Sequence, residues 1–265
     1  MTSRSFPGIA VFAAIGRVVG DFFAGFGRFG AFLFETVLAV RDVGTWSPLL
    51  VNQMRRLGVD SIPISLFLAA FTGIVLALQA SYTFTGAIPL YFVGTLVGKT
   101  MILELGPVLT GLALSGRVGA NIAAQLGTMR VSEQIDALET LAYNPAAYLV
   151  VPRILAGILM FPVIVMFANV VGIVAGWITA MNLLGMSSAD FVHGLRLFYE
   201  PFDITFSLIK MTSFGLIVTA VGCFNGFETK GGAEGVGVST TRAVVTSSML
   251  ILVFDAFWAI VLLRR

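Results

Sequence analysis

Two long stretches without any charged residue limit what this chain can fold into. Residues 61–98 form one such stretch of 38 residues, and residues 154–189 form another of 36. A membrane-spanning helix needs about 20 predominantly apolar residues, so each stretch exceeds the length of one span. In the whole sequence 57% of residues are hydrophobic and 11% are charged, against about 25% charged in an ordinary soluble domain. The sequence therefore predicts an all-α, polytopic integral membrane protein.

Charges, glycines and prolines divide the chain into two parts. In residues 1–60 charged side chains interrupt every apolar run, which is typical of amphipathic helices that lie in the membrane interface. Residues 61–265 form the predicted transmembrane domain, with a turn at Gly86 and Pro89 between the first two spans. The five predicted spans are residues 62–84, 92–115, 154–183, 203–226 and 243–263.

Three ionisable residues fall inside the predicted spans: Glu104, Lys210 and Asp255. Each costs about 2.5–3.5 kcal/mol at the centre of a membrane helix on insertion scales, so such residues usually face the interior of a bundle or a wet cavity. Helical rise places Lys210 and Asp255 at nearly the same depth, about 10 and 12 Å from the outer face. We expect these two to pair, with Glu104 as a competitor for the lysine. The pair has either a structural or a transport role. Lys99, nearer a helix end, is expected to snorkel.

The polar segment between the second and third spans contains a predicted helix at residues 131–142. Val131, Ile135, Leu138 and Ala142 share one face at helical spacing, while Glu133, Asp136 and Glu139 share another edge. A short two-faced helix in a loop is either a solvated connector or a docking element for a soluble partner. The pattern alone leaves both open.

The distribution of basic residues predicts the orientation. With the N-terminus inside, eleven basic residues outside the spans lie on the inner side and three, Arg196, Arg264 and Arg265, lie on the outer side. Cytoplasmic loops carry the excess of Lys and Arg. We therefore expect the N-terminus on the cytoplasmic side and the C-terminus on the outer side.

Several functional classes are disfavoured. A single histidine, His193, and a single cysteine, Cys223, argue against a membrane-embedded enzyme and against a metal site. The net charge of +2 gives no reason to expect nucleic acid. Residues 94–100 resemble a phosphate-binding loop, but the motif is one residue short. We expect no catalytic residues and no cofactor in this chain.

Three motifs in the centre of the sequence carry a resemblance to a known family. They are the segments 104–108 (ELGPV), 115–120 (SGRVGA) and 127–139 (GTMRVSEQIDALE). The match continues through Asn144-Pro145, Val151-Pro152-Arg153 and 240–245 (TTRAVV). This combination resembles the MlaE permease family over residues 45–263.

The resemblance implies the permease subunit of an ABC transporter that moves phospholipid between the inner and outer membranes and sustains outer-membrane lipid asymmetry. It implies a homodimer in the cell inner membrane and a cytoplasmic ATPase subunit that binds ATP and Mg. It also implies a periplasmic hexamer of MCE-domain proteins and, in some systems, a STAS-domain protein. Helix 131–142 then corresponds to the coupling helix, with Arg117, Arg130, Glu133, Asp136 and Glu139 as candidate ATPase contacts.

The resemblance also implies a lipid cavity beside Leu76, Gln79 and Glu104, and a buried pair at Lys210 and Asp255. One departure is Leu103, where the family relative has an arginine before the glutamate. The alternative function is a proton- or ion-coupled carrier of a hydrophobic substrate that uses Glu104, Lys210 and Asp255 as a relay.

Overall fold

The computed structural model describes residues 7–84 and 88–262, and side chains within those ranges from residue 23 onward. The described part is helical and contains no strand. The turn predicted at Gly86, the side chains of Arg17 and Asp21, and the terminal Arg264 and Arg265 lie outside the described residues. The α-helices are α1 (Pro7–Ala39), α2 (Val43–Gln53), α3 (Ile62–Thr83), α4 (Phe92–Thr100), α5 (Gly106–Leu114), α6 (Ala120–Val131), α7 (Gln134–Thr140), α8 (Val151–Leu184), α9 (Ser188–Leu197), α10 (Pro201–Phe227) and α11 (Gly232–Leu262).

Five of the helical stretches in the described residues are long and apolar enough to cross a membrane, which confirms the predicted fold class. They are Val43–Thr83, Phe92–Val131, Ala146–Leu184, Pro201–Phe227 and Gly232–Leu262, numbered here as the first to fifth spans. The first two are composite helices in which α-helical pieces join through π-helical turns, with an added 3-10 turn in the first, and the third begins with a π-helical turn before α8.

The helices of four spans extend beyond the limits predicted from the sequence, and the limits of the spans within a membrane stay a prediction. The first was expected to begin at residue 62, the second to end at 115, the third to begin at 154 and the fifth to begin at 243, but their helices extend to Val43, Val131, Ala146 and Gly232. Charged residues mark where an apolar stretch ends, whereas a helix continues past that point because its backbone hydrogen bonds are made internally. In the glycine-rich segment the helix is interrupted between Phe227 and Gly232, and φ is positive at Gly231 and Gly232.

Small residues bring the spans into close contact, most extensively where the first span packs on the third. A Cβ added at Gly73 would overlap the Gly172 carbonyl, and one added at Gly215 would overlap the Gly157 carbonyl. Membrane helices associate largely through such close packing, because lipid tails compete equally well for larger apolar side chains. The glycines therefore set the distances between the first, third and fourth spans.

Helix α1 joins the bundle through its C-terminal half. Phe29 and Phe32 contact Phe224 at ring-centroid distances of 5.2 and 5.7 Å, and the Arg28 side chain lies 3.4 Å from Glu228. These contacts attach α1 to the end of α10. Its position in a membrane interface stays a prediction.

Candidate functional site: a charge cluster within the spans

The candidate site lies beside an irregular stretch of backbone in the second span. Pro107 has no N–H, so the Leu103 carbonyl four residues earlier loses its usual helical donor. Residues Met101–Leu105 form a π-helical turn immediately before α5. Lys210 Nζ in the fourth span donates a hydrogen bond to the Leu103 carbonyl oxygen at 3.0 Å. A side chain from another span thus satisfies a carbonyl that the proline leaves free.

The same ammonium holds two carboxylates. Lys210 Nζ lies 2.8 Å from Glu104 Oε2 and 2.7 Å from Asp255 Oδ1. The Glu104 contact is a hydrogen bond, whereas the Asp255 contact has the distance of an ion pair without hydrogen-bond geometry at Oδ1. Lys210 and Asp255, which were expected to pair from their similar depth, are therefore in contact. Glu104, the predicted competitor for the lysine, contacts Lys210 at the same time. We call Glu104, Lys210 and Asp255 the charge cluster.

The three members of the charge cluster differ in exposure. The Lys210 side chain is fully buried, that of Asp255 is 19% exposed and that of Glu104 is 38% exposed. The ring of Phe206 lies 4.6 Å from Lys210 Nζ. Glu104 is thus the member that a molecule outside this single chain contacts most readily.

A second ion pair was missed by the sequence reasoning. Lys99 Nζ lies 2.8 Å from Asp203 Oδ2, so Lys99 has a protein partner rather than only a snorkelling position. Asp203 also accepts a hydrogen bond from the Glu200 backbone N–H and forms a capping box at the start of α10. The sequence signal for this capping box was an acid three residues after Glu200 and two residues after a helix-starting proline.

The residues predicted to line a lipid cavity occupy different environments. Leu76 is buried in an apolar cluster with Ala69, Ala77 and Met101. Gln79 is exposed. Among the described side chains Glu104 hydrogen-bonds to Lys210, and no hydrogen bond joins it to Gln79.

The predicted helix at residues 131–142 was too long at both ends. The second span continues to Val131, Glu133 adopts a left-handed conformation with φ of 57°, and α7 covers only Gln134–Thr140. Ala142, with φ of 60°, lies beyond its end. Ser132 Oγ donates to the Thr128 carbonyl, and Arg130 pairs with Asp136 across the turn. The predicted apolar face of this helix is confirmed for two of its four residues, since Ile135 is buried and Leu138 packs against the core. The other two, Val131 and Ala142, are exposed.

The candidate coupling residues divide into two groups. Arg130 lies in the last turn of α6, Glu133 lies in the turn before α7, and Asp136 and Glu139 lie on α7. Arg117 lies within the second span, 14 residues before Val131, which corresponds to about 21 Å of helix. Arg117 is therefore remote from the turn with which it was grouped. Leu141 and Tyr143, not singled out from the sequence, expose 68% and 51% of their surface beside Glu139.

The described residues include no group of three or more His, Cys, Asp or Glu side chains arranged to hold a metal ion.

The family model for the permease MlaE matches residues 50–261. The chain belongs to the MlaE permease family.

Relatives from different bacteria are similar to this MlaE permease over most of their length. A probable ABC transporter permease protein of Rickettsia conorii is 37% identical, with 91% of this chain and 93% of the relative covered. The intermembrane phospholipid transport system permease protein MlaE of Haemophilus influenzae is 34% identical, with 92% and 94% covered. A probable ABC transporter permease protein of Synechocystis is 38% identical, with 78% and 79% covered. The relatives are thus named as permeases, the membrane subunits of ABC transporters.

We predict unequal effects of removing single members of the charge cluster from this MlaE permease. Lys210→Met leaves two neighbouring carboxylates and the Leu103 carbonyl without their donor, and uncompensated buried charges cost about 3–5 kcal/mol. Asp255→Asn leaves the Lys210–Glu104 pair intact and should cost less. Thermal unfolding of the purified protein in detergent measures both.

The triple variant Lys210→Met, Glu104→Gln, Asp255→Asn removes every formal charge of the cluster and is the control. It should be more stable than Lys210→Met alone, since coupled sites are not additive. Strictly additive losses would show that the three groups do not act together.

Proposed function

We propose that this permease moves phospholipid between the inner and outer membranes, energised by ATP hydrolysis in a partner subunit. The observation that carries the proposal is the similarity to the Haemophilus intermembrane phospholipid transport system permease over 92% of this chain. The five apolar spans place the chain where a phospholipid resides. The substrate leaves the bilayer sideways into a cavity, and ATP-driven closure of that cavity expels it.

A second copy of the chain completes the proposed cavity. The fifth span supports this, because only 11% of its most apolar window is buried inside one chain. Arg117, Asn121 and Gln125 support it too, since they recur every four residues along the second span, with Asn121 and Gln125 exposed. A second copy packed on this face covers them and encloses Gln79 and Glu104 near the lipid head group.

The proposed orientation places α7 in the cytoplasm and α9 in the periplasm. Its support is the eleven-to-three distribution of basic residues, counted with the span limits that the sequence predicts. An ATPase subunit that binds ATP and Mg then docks on α7. An MCE-domain hexamer occupies the periplasmic side, and a STAS-domain protein joins the ATPase.

The charge cluster also supports a second candidate function, a proton- or ion-coupled carrier. Two carboxylates share one ammonium, so the cluster holds one more acidic than basic group. A proton or a cation would neutralise this excess. Lipid transport that persists when the partner ATPase cannot hydrolyse ATP would favour this carrier over the ABC transporter.

We predict lipid capture at the proposed cavity. Photo-crosslinking side chains placed at Gln79 or Glu104 of the complex, purified in detergent to remove bulk lipid, should form phospholipid adducts. The same side chain at Phe67, an exposed residue of the first span, is the matched control and should lose its adducts in detergent. Gln79→Trp should block transport into acceptor vesicles without preventing assembly, because the indole fills the cavity. Adducts at Phe67 but at neither cavity position would relocate the site.

We predict that α7 binds the ATPase through its exposed acidic edge and the adjacent Leu141 and Tyr143. Asp136→Lys with Glu139→Lys should weaken retention of the ATPase by about tenfold or more, as expected for interface charges. Glu139→Lys alone tests the same edge without breaking the Arg130–Asp136 pair. Glu35→Lys, at an exposed acid of α1, is the matched control. Undiminished ATPase pull-down by the double variant would refute the docking role.

We predict that fused reporters will show a cytoplasmic N-terminus and a periplasmic C-terminus, because loops rich in basic residues stay on the cytoplasmic side of the membrane. A reporter active only in the periplasm should be active when fused after Arg265. The same reporter inserted near Gly232 should be silent. Activity of the reporter at Gly232 and silence after Arg265 would show that the chain has the opposite orientation.

A further inference from the structure

The contacts of Lys210 leave its ammonium little capacity to bind a ligand. A lysine ammonium has three hydrogen-bond donors. Glu104 Oε2 and the Leu103 carbonyl take two of them, Asp255 Oδ1 lies 2.7 Å from the same nitrogen, and the side chain is fully buried. A lipid phosphate in the cavity therefore cannot reach Lys210 without breaking contacts within the protein.

The surface that the charge cluster presents is acidic. Glu104 is the most exposed member and Asp255 the next. The residue before Glu104 is Leu103, which brings no positive charge to that position. An anionic group approaching this surface meets a carboxylate first, and like charges repel strongly where the dielectric constant is low.

Neighbouring basic residues of the second span do not balance this charge. Lys99 is already paired with Asp203. Arg117 lies 13 residues from Glu104 along the same helix, a rise of about 20 Å. The excess of one carboxylate is thus local to the cluster, where an unbalanced charge is costly.

We propose that the charge cluster selects phospholipids whose head group carries a positively charged amine, with Glu104 as the group that receives it. The inference rests on the proposed function, since it assumes that lipid enters the cavity beside Glu104. The ammonium neutralises the excess carboxylate and donates a hydrogen bond to Glu104. The lipid phosphate stays on the side away from the cluster. Phosphatidylethanolamine has this chemistry, and phosphatidylglycerol, with a neutral polyol head group and a net negative charge, does not.

The experiment measures which lipid is captured. The complex carrying the photo-crosslinker at Gln79 is stripped of lipid and exposed to equimolar phosphatidylethanolamine and phosphatidylglycerol, and the adducts are identified by mass spectrometry. We expect about tenfold more phosphatidylethanolamine adduct, the ratio that one charge-assisted hydrogen bond supports. Glu104→Gln keeps the shape of the side chain and should bring the ratio near one. Glu35→Gln, the same change on α1, should leave the ratio unaltered.

A second variant keeps the inference testable if Glu104→Gln fails to fold. Leu103→Arg adds a positive charge beside Glu104 and should shift capture toward phosphatidylglycerol. Equal capture of the two lipids by the unmodified sequence, or a preference that survives Glu104→Gln, would overturn the inference while leaving phospholipid transport intact. Absence of any lipid adduct would overturn the proposed cavity as well.

Discussion

The contact between Lys210 and the second span is the interaction on which the rest of the intramembrane arrangement depends. Within a bilayer every polar group must find its partner inside the protein. Pro107 frees one carbonyl, and Glu104 and Asp255 bring two carboxylates; one ammonium meets all three. Because these groups come from the second, fourth and fifth spans, the contact also fixes how those spans are positioned relative to one another.

Much of the architecture could be predicted from the sequence because the bilayer imposes simple rules. Long apolar stretches with few or no charges indicated five spans, and helical rise was sufficient to place Lys210 and Asp255 at one level. Depth does not determine which way a side chain points around the helix. The π-helical turn at Met101–Leu105 changes the direction of Glu104, and regular α-helical spacing does not predict such a turn. The joint contact of both acids with Lys210 therefore required the structure.

The ends of the spans and the form of α7 were harder to predict for a related reason. Arg117 and Arg153 interrupt the hydrophobicity, but they do not interrupt the helical hydrogen bonds. Arg153 is buried and donates hydrogen bonds to the Leu149 carbonyl and to Gln125 Oε1. In contrast, the helix does stop at Ser132 and Glu133, where the surrounding sequence keeps a helical hydrophobic pattern. A left-handed glutamate is uncommon, so sequence spacing alone favoured one continuous helix where the structure has a turn.

The second span connects the two regions to which we assign function. Between Glu104 and Val131 the chain is helical at every residue, a path of about 40 Å. A helix resists compression along its axis far better than a loop, so a push on α7 reaches the level of the charge cluster with little loss of displacement. The π-helical turn at Ser115–Gly119 is the point along that rod where bending requires the least rearrangement. Under the proposed docking of an ATPase on α7, this helical segment would transmit a movement of α7 to Glu104, and bending at Ser115–Gly119 would reduce the displacement that reaches Glu104.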